Sequence, residues 1–323
     1  MHHMNFNDFA TFARPSRLER NIDKRSDGNF LENAVHGKNS RLLLFWKGMP
    51  MVDNQTNPVF LLPEKELIKT LGTRVYLGSC NGTDYFAGDI TRENTPLTVN
   101  VVENRLFDPS QYQHPDFPEY YFKGLRMLLP YLQESLLAEL LAIGKALLGW
   151  HYTHRYCSFC GHPSDIRNGG WSRICPACKS EHFPRYDPVV IMLILRQNKV
   201  LLGRSYHWPQ GMHSLLAGFM EPGESIESAV VREVYEEAEI LVENVSYLSS
   251  QPWPFPTSLM IGCRGEARND TINPQKNEIE NAIWLEREEV MDIYDGSRTD
   301  ISLPRKGSIA EFLIRKWLGG III

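Results

Sequence analysis

The feature that most restricts this chain is a repeated cysteine spacing. Cys157-Ser-Phe-Cys160 and Cys175-Pro-Ala-Cys178 are two C-x-x-C turns with fourteen residues between them. Each turn can aim two thiolates at one point, and four thiolates close a tetrahedral Zn²⁺ site with no open position. Such a site is a folding device, because the metal holds together a segment too short to build its own core. Disulfides compete with zinc for the same residues, so the compartment matters. No apolar run reaches the length of a membrane span, and "MHHMNFNDFATFARPSRLER" lacks the apolar centre of a signal peptide. The sequence therefore predicts a cytoplasmic protein without a membrane partner, carrying structural Zn²⁺ on Cys157, Cys160, Cys175 and Cys178. Cys80 and Cys263 stand alone and read as small buried residues.

The 323 residues suggest about two domains, and a net charge of -5 excludes a generally basic nucleic-acid binder or a polybasic anchor. Arg155, Arg167, Arg173 and Lys179 near the cysteines read as a solvated surface, with nucleic-acid binding as the alternative. Four regions follow: a β-rich domain over 1–125, a connecting helix over 126–150, the cysteine module over 151–186, and a mixed α/β domain over 187–323. Residues 1–35 are polar and turn-rich, and read as an arm that orders against a partner surface. Short apolar runs follow, from "RLLLFWKG" to "TPLTVNVVE" (95–103). Asn81-Gly82 marks a hairpin turn, and Gln197-Asn198 separates two more strands. The leucines of 136–148 are dense enough for a buried helix. A β-then-helix domain at each end permits a degenerate duplication.

Chemistry concentrates in "GFMEPGESIESAVVREVYEEAEI" (218–240). Glu233, Glu236 and Glu237 fall on one face of a helix predicted over 224–238. Like charges at that spacing repel unless a divalent cation gathers their oxygens, as Mg²⁺ or Mn²⁺ does. An acidic helix face alone is common and proves little.

The wider spacing is more specific. Gly218, Glu224 and Arg232-Glu233-Val234-Tyr235-Glu236-Glu237 together resemble the Nudix box. That resemblance implies a C-terminal α/β/α sandwich that hydrolyses nucleoside diphosphates linked to another group. It assigns the catalytic metal to Glu233, Glu236 and Glu237, and Arg232 to orienting carboxylates, with Glu224 at the helix start, where negative charge is favoured. One position departs: the family's usual glycine two residues after the last glutamate is Glu239. A non-glycine residue in the left-handed turn ending a helix costs about 1–2 kcal/mol.

"SQPWPFPTS" (250–258) narrows the resemblance. Its three prolines lack an N–H, which bars the segment from an inner strand. Alternate prolines favour an extended, pre-ordered wall with Trp253 and Phe255 on one side. A proline-rich ligand for a partner domain, or simple core packing, are the alternatives. In this position the segment is similar to the signature of the NADH pyrophosphatase branch of the Nudix superfamily. That branch also places a zinc ribbon before the Nudix domain and a poorly marked β-rich domain, here a degenerate Nudix-like fold, before that.

The resemblance implies substrate contacts at Gln251, Pro252, Trp253, Pro254, Phe255, Pro256, Thr257 and Ser258. It also implies Phe219 as a ring stacking on a base, Phe183 reaching substrate across a homodimer, and Ala310 near the C-terminus. The Ala217 carbonyl and Glu278 resemble further metal ligands, with Glu280 second to Glu278, and Arg126 is the weakest correspondence. The implied reaction is metal-dependent hydrolysis of NAD(H) to NMN(H) and AMP. Removal of the NAD cap from RNA by the same chemistry is the close alternative. A non-enzymatic nucleotide sensor is the alternative of another class.

Overall fold

A computed structural model describes residues 9–91, 111–274 and 279–322. The apolar run at 95–103 and Glu278 lie outside the described residues. The chain divides into two bodies, one of residues 15–185 with 254–257, the other of residues 1–14, 186–253 and 258–323. The cysteine module belongs to the first body.

In that body β1 (Ser40–Trp46) turns antiparallel into β2 (Met49–Val52) and pairs antiparallel with β3 (Phe60–Leu61). A short helix, Lys65–Thr70, leads to the hairpin of β4 (Thr73–Cys80) and β5 (Thr83–Asp89). Asn81 and Gly82 both take positive φ, 50° and 75°, as a tight hairpin between right-twisted strands requires. β5 then pairs parallel with β1. Beyond β2 the sheet adds β6 (Gln111–His114) and β7 (Phe117–Lys123), in the order β4-β5-β1-β2-β7-β6. A helix over Ser135–Thr153 buries Leu140, Leu141, Leu147, Leu148 and Trp150. Three short strands, β8 (Asp165–Arg167), β9 (Ser172–Ile174) and β10 (Glu181–His182), form the cysteine module.

The second body repeats this pattern. β11 (Asp187–Arg196) turns at Gln197-Asn198 into β12 (Lys199–Arg204) and pairs antiparallel with β13 (Leu216–Phe219). A helix, Ile226–Ala238, leads to the hairpin of β14 (Val242–Trp253) and β15 (Ser258–Ala267), and β15 pairs parallel with β11. β16 (Asn281–Glu286) joins β12 as β7 joins β2. The two bodies thus share strand order, strand sense and helix position. The helix after the third strand is shrunken in the first body to "KELIKT", which carries one glutamate and no R-E-x-x-E-E run. The expected degenerate duplication is present in the topology.

The apolar run of β11 explains the layering. Val190, Met192 and Ile194 pack with Ala229, Val230, Val234 and Ala238 of the helix Ile226–Ala238. Ile191, Leu193 and Leu195 pack with Ile309, Leu313 and Trp317 of the closing helix, Ile309–Leu318. Alternate residues of one strand therefore face two helices, which is why the strand is apolar throughout. The result is an α/β/α sandwich. Cys80 and Cys263 are both buried.

The N-terminal arm departs from expectation. Ala10 joins the core beside the closing helix, Thr11 and Phe12 are buried, and the Thr11 N–H donates to the Gly307 carbonyl at 3.0 Å. From residue 9 the arm orders on its own chain, because its few apolar side chains find a core there.

Candidate active site

The helix Ile226–Ala238 starts with the Ser225 hydroxyl accepting from the Ser228 N–H at 3.2 Å. Glu224 therefore stands just outside the helix, and its carboxylate goes to a partner rather than to the helix dipole. Arg232 Nε and Nη2 donate to its two oxygens at 3.0 and 2.7 Å, a bidentate pair. This guanidinium, with the Glu221 N–H at 2.7 Å, holds the Glu224 carboxyl down to about 2. Arg232 Nη1 donates to both Glu233 and Glu236 at 2.9 Å, and Nη2 also reaches the Phe219 carbonyl at 2.9 Å. Those carboxylates push the Arg232 pKa upward. One arginine thus ties three carboxylates and the end of β13 into a single cluster. Glu237, one position on, is buried.

Gly218 has a local reason to be glycine. Its φ is ordinary, but a β-carbon there would collide with the Glu233 carboxyl group, so the strand must be bare for that side chain to lie across it. Ala217 lies beside it on β13, opposite Ile191, and Phe219 ends the strand with its ring exposed.

The turn after the helix is kept despite Glu239. That residue adopts the left-handed conformation, φ 55° and ψ 29°. Its carbonyl accepts from the Asn269 side chain at 3.1 Å, and its carboxylate from Asn273 at 2.9 Å. The Asn273 N–H caps the Ala238 carbonyl at 3.0 Å. Two asparagines from a distant loop hold the geometry that glycine would adopt freely.

"SQPWPFPTS" is not one extended wall. Its first four residues end β14, the edge strand, where a proline such as Pro252 is tolerated. Pro254–Thr257 form a four-residue turn, and Ser258, buried, opens β15 opposite Trp253. Trp253 and Phe255 consequently do not share one face of a continuous strand. Within the first body, Phe255 lies beneath two cations, Arg126 at 4.7 Å and Lys145 at 5.6 Å from the ring centroid. Lys145 itself is buried and donates to the Gly48 carbonyl at 3.1 Å. The only sequence signal for this lysine is a charge placed among the buried leucines of its helix.

Gln251 also departs from expectation. It is fully buried, its amide nitrogen donating to the carbonyls of Thr11 and Gly307, the latter at 2.9 Å, while its oxygen accepts from the Ile309 N–H at 2.8 Å. The side chain is consumed in pinning the arm and the closing helix, which leaves it nothing to offer a ligand. Ala310 is buried in the first turn of that helix. Pro252 and Trp253 are half-buried, and Phe183 is exposed. Glu280 pairs with Arg204 at 2.8 Å.

The four cysteines of the module come together. Their sulfurs all lie within 4.8 Å of one another, with Cys157–Cys178 at 3.6 Å and Cys160–Cys175 at 3.4 Å. Zinc–sulfur bonds of about 2.3 Å set tetrahedral edges near 3.8 Å, so the set fits one Zn²⁺. His182 Nε2 stands 3.2 Å from the Cys157 sulfur, placed to support a thiolate. Among the described residues no other cluster of this kind occurs.

Three family models match the chain in order: the NADH pyrophosphatase-like rudimentary NUDIX domain over 39–150, the NADH pyrophosphatase zinc ribbon domain over 153–183, and the NUDIX domain over 185–305. The chain is 43% identical over 192 residues to the NAD-capped RNA hydrolase NUDT12 of Homo sapiens, covering 56% of this chain and 42% of that one. It therefore spans less than half the length of that relative. It is 39% identical over 196 residues to the mitochondrial NAD(P)H pyrophosphatase NUDT13 of Mus musculus, covering 57% of this chain and 56% of the relative. To the NAD-capped RNA hydrolase NudC of Stutzerimonas stutzeri it is 38% identical over 203 residues, 63% of this chain and 70% of the relative. Such identity over most of a relative's length, with three matched domains in one order, means common descent: this chain belongs to the NADH pyrophosphatase branch of the Nudix hydrolase superfamily.

Proposed function

We propose that this protein hydrolyses the pyrophosphate of NAD(H) to NMN(H) and AMP. The observation that carries the proposal is the carboxylate cluster of the helix Ile226–Ala238, tied by Arg232 and laid across a bare strand at Gly218. Glu233, Glu236, Glu237 and the Ala217 carbonyl, with Glu278 from outside the described residues, would hold Mg²⁺ or Mn²⁺. A hard-oxygen set of this kind suits such ions. Bound there, they would polarise the diphosphate and lower the pKa of an attacking water. Arg232 keeps Glu233 and Glu236 in place, so their oxygens need no reorganisation when charge builds on the leaving phosphate. The exposed ring of Phe219 offers a flat surface for a base. Zn²⁺ on the four cysteines would hold the module folded.

The names of the relatives support both free dinucleotide and NAD-capped RNA as substrates, and the same site serves either. A homodimer in the cytoplasm, with Phe183 contacting substrate across the subunit boundary, completes the proposal. No helix among the described residues is long and apolar enough to cross a membrane. A non-enzymatic sensor is disfavoured by the intact carboxylate set of the box.

The test is a product assay with Mg²⁺ or Mn²⁺ on NADH, NAD⁺ and NAD-capped RNA, with Glu237→Gln as control. NMN(H) and AMP from the dinucleotides, lost in the variant, is the expected result. Faster NMN release from RNA at equal concentration would make decapping the main activity. Silence on all three substrates from folded, zinc-loaded protein would overturn the proposal.

A further inference from the structure

We propose that the exposed face of the cysteine module binds single-stranded RNA, and so gives the enzyme a grip on the polynucleotide of a capped substrate. The inference deepens the decapping reading above and rests on it for its purpose. It stands on two rings that the fold leaves in water: Tyr156 at 65% and Phe159 at 81% exposure. Both stand beside Cys157 in the chain. Tyr156 precedes Cys157, and the Phe159 N–H points at the Cys157 sulfur from 3.4 Å. Rings fixed on so short and rigid a scaffold lose little freedom when something stacks on them.

Cations outnumber carboxylates in the module. Residues 151–186 hold five Lys and Arg against two Asp and Glu, in a chain whose net charge is -5. Of the five, Arg173 is buried, whereas Arg155, Arg167, Lys179 and Arg185 are exposed. Flat rings interleaved with cations are the chemistry of a single strand, whose bases stack and whose phosphates need neutralising. A second copy of this chain is the competing occupant. A two-fold contact would set these cations against their own images, which favours a polyanion instead.

The test is a fluorescence-anisotropy titration of the full-length, zinc-loaded protein with an uncapped RNA strand of about twelve nucleotides. The Tyr156→Ala/Phe159→Ala variant is expected to bind at least about tenfold more weakly, at unchanged NADH turnover and zinc content. Phe159→Leu, which keeps apolar bulk and removes the flat ring, repeats the test should the double variant lose zinc. Arg167→Ala/Lys179→Ala should reduce the slope of log affinity against log salt by about 1.4. RNA binding undiminished by the ring substitutions, or absent from the native protein, overturns the inference. So does a ring variant that turns monomeric while still binding RNA, which hands the face to a second copy. Native protein that binds RNA through these rings but hydrolyses neither NADH nor capped RNA would sink the proposed function and leave the binding face standing.

Discussion

Glu233 lies across Gly218 at a separation that leaves no room for a β-carbon on the strand. The box glycine and the first glutamate of the R-E-x-x-E-E run are therefore one unit, fifteen positions apart in sequence and in contact in the fold. Gly218→Ala should displace the Glu233 carboxylate while Arg232 keeps its bidentate hold on Glu224. Misplacement of a catalytic group by about 1 Å can cost on the order of 100-fold, and a fall of that size in kcat/KM for NADH is expected. Steady-state kinetics beside a thermal melt separates this from unfolding. Activity within about threefold of native would show that Glu233 is not needed where it lies.

Glu239 makes the opposite prediction. It sits in the left-handed region at a cost of about 1–2 kcal/mol, partly offset by its exposed contact with Asn273. Glu239→Gly should relieve that strain but gains entropy in the unfolded chain, for a net stabilisation of about 0.5–1 kcal/mol. A melt should move up by about 2 °C with turnover unchanged. A lower melting temperature would mean that the asparagine clasp, rather than the backbone, dominates this turn.

His151 supplies a pH dependence. It is buried, with Nε2 donating to the Gly170 carbonyl at 2.8 Å and Nδ1 accepting from Arg173 at 3.0 Å. Burial drives its pKa down from the ordinary 6.5 to about 4, the Gly170 bond opposes this, and the Arg173 charge adds to it. The unfolded chain therefore binds the proton more readily, and this contribution to stability is present above about pH 6.5. It is lost as pH falls toward 4, with at most about 2 kcal/mol gone by pH 5. Denaturant unfolding at pH 7 and pH 5 should show the drop, and His151→Gln should lack that share of it. An equal drop in both proteins would place the acid sensitivity elsewhere.

Phe255, flanked by Arg126 and Lys145, should be energetically coupled to them. A double-mutant cycle of Arg126→Ala with Phe255→Leu is expected to give a coupling of about 0.5–1 kcal/mol, the range for a partly exposed cation over a ring. Zero coupling would reduce the arrangement to proximity.

Zinc should be present at one ion per chain by elemental analysis. Cys175→Ser, at the most buried of the four sulfurs, should lose it and melt the module. Full zinc retention in that variant would exclude a four-thiolate site.

What the sequence determined by itself is whatever short-range spacing controls. Two C-x-x-C turns meet at one point, three glutamates three and four residues apart share a helix face, and Asn81-Gly82 reverses a hairpin, because backbone periodicity sets each of these directions locally. The order of domains followed from such motifs. Tertiary structure decided the rest. Gln251 looked like a ligand contact and is spent on Thr11, Gly307 and Ile309, partners up to 240 positions away. Phe255 looked like half of an extended wall and lies in a turn beneath cations from residues 126 and 145. The repeated topology of the two bodies leaves no motif behind, since strand pairing needs only apolar alternation and not particular residues. A side chain's direction is local, but what it meets is chosen by the folding of the whole body, and that choice separates a residue that binds from one that braces.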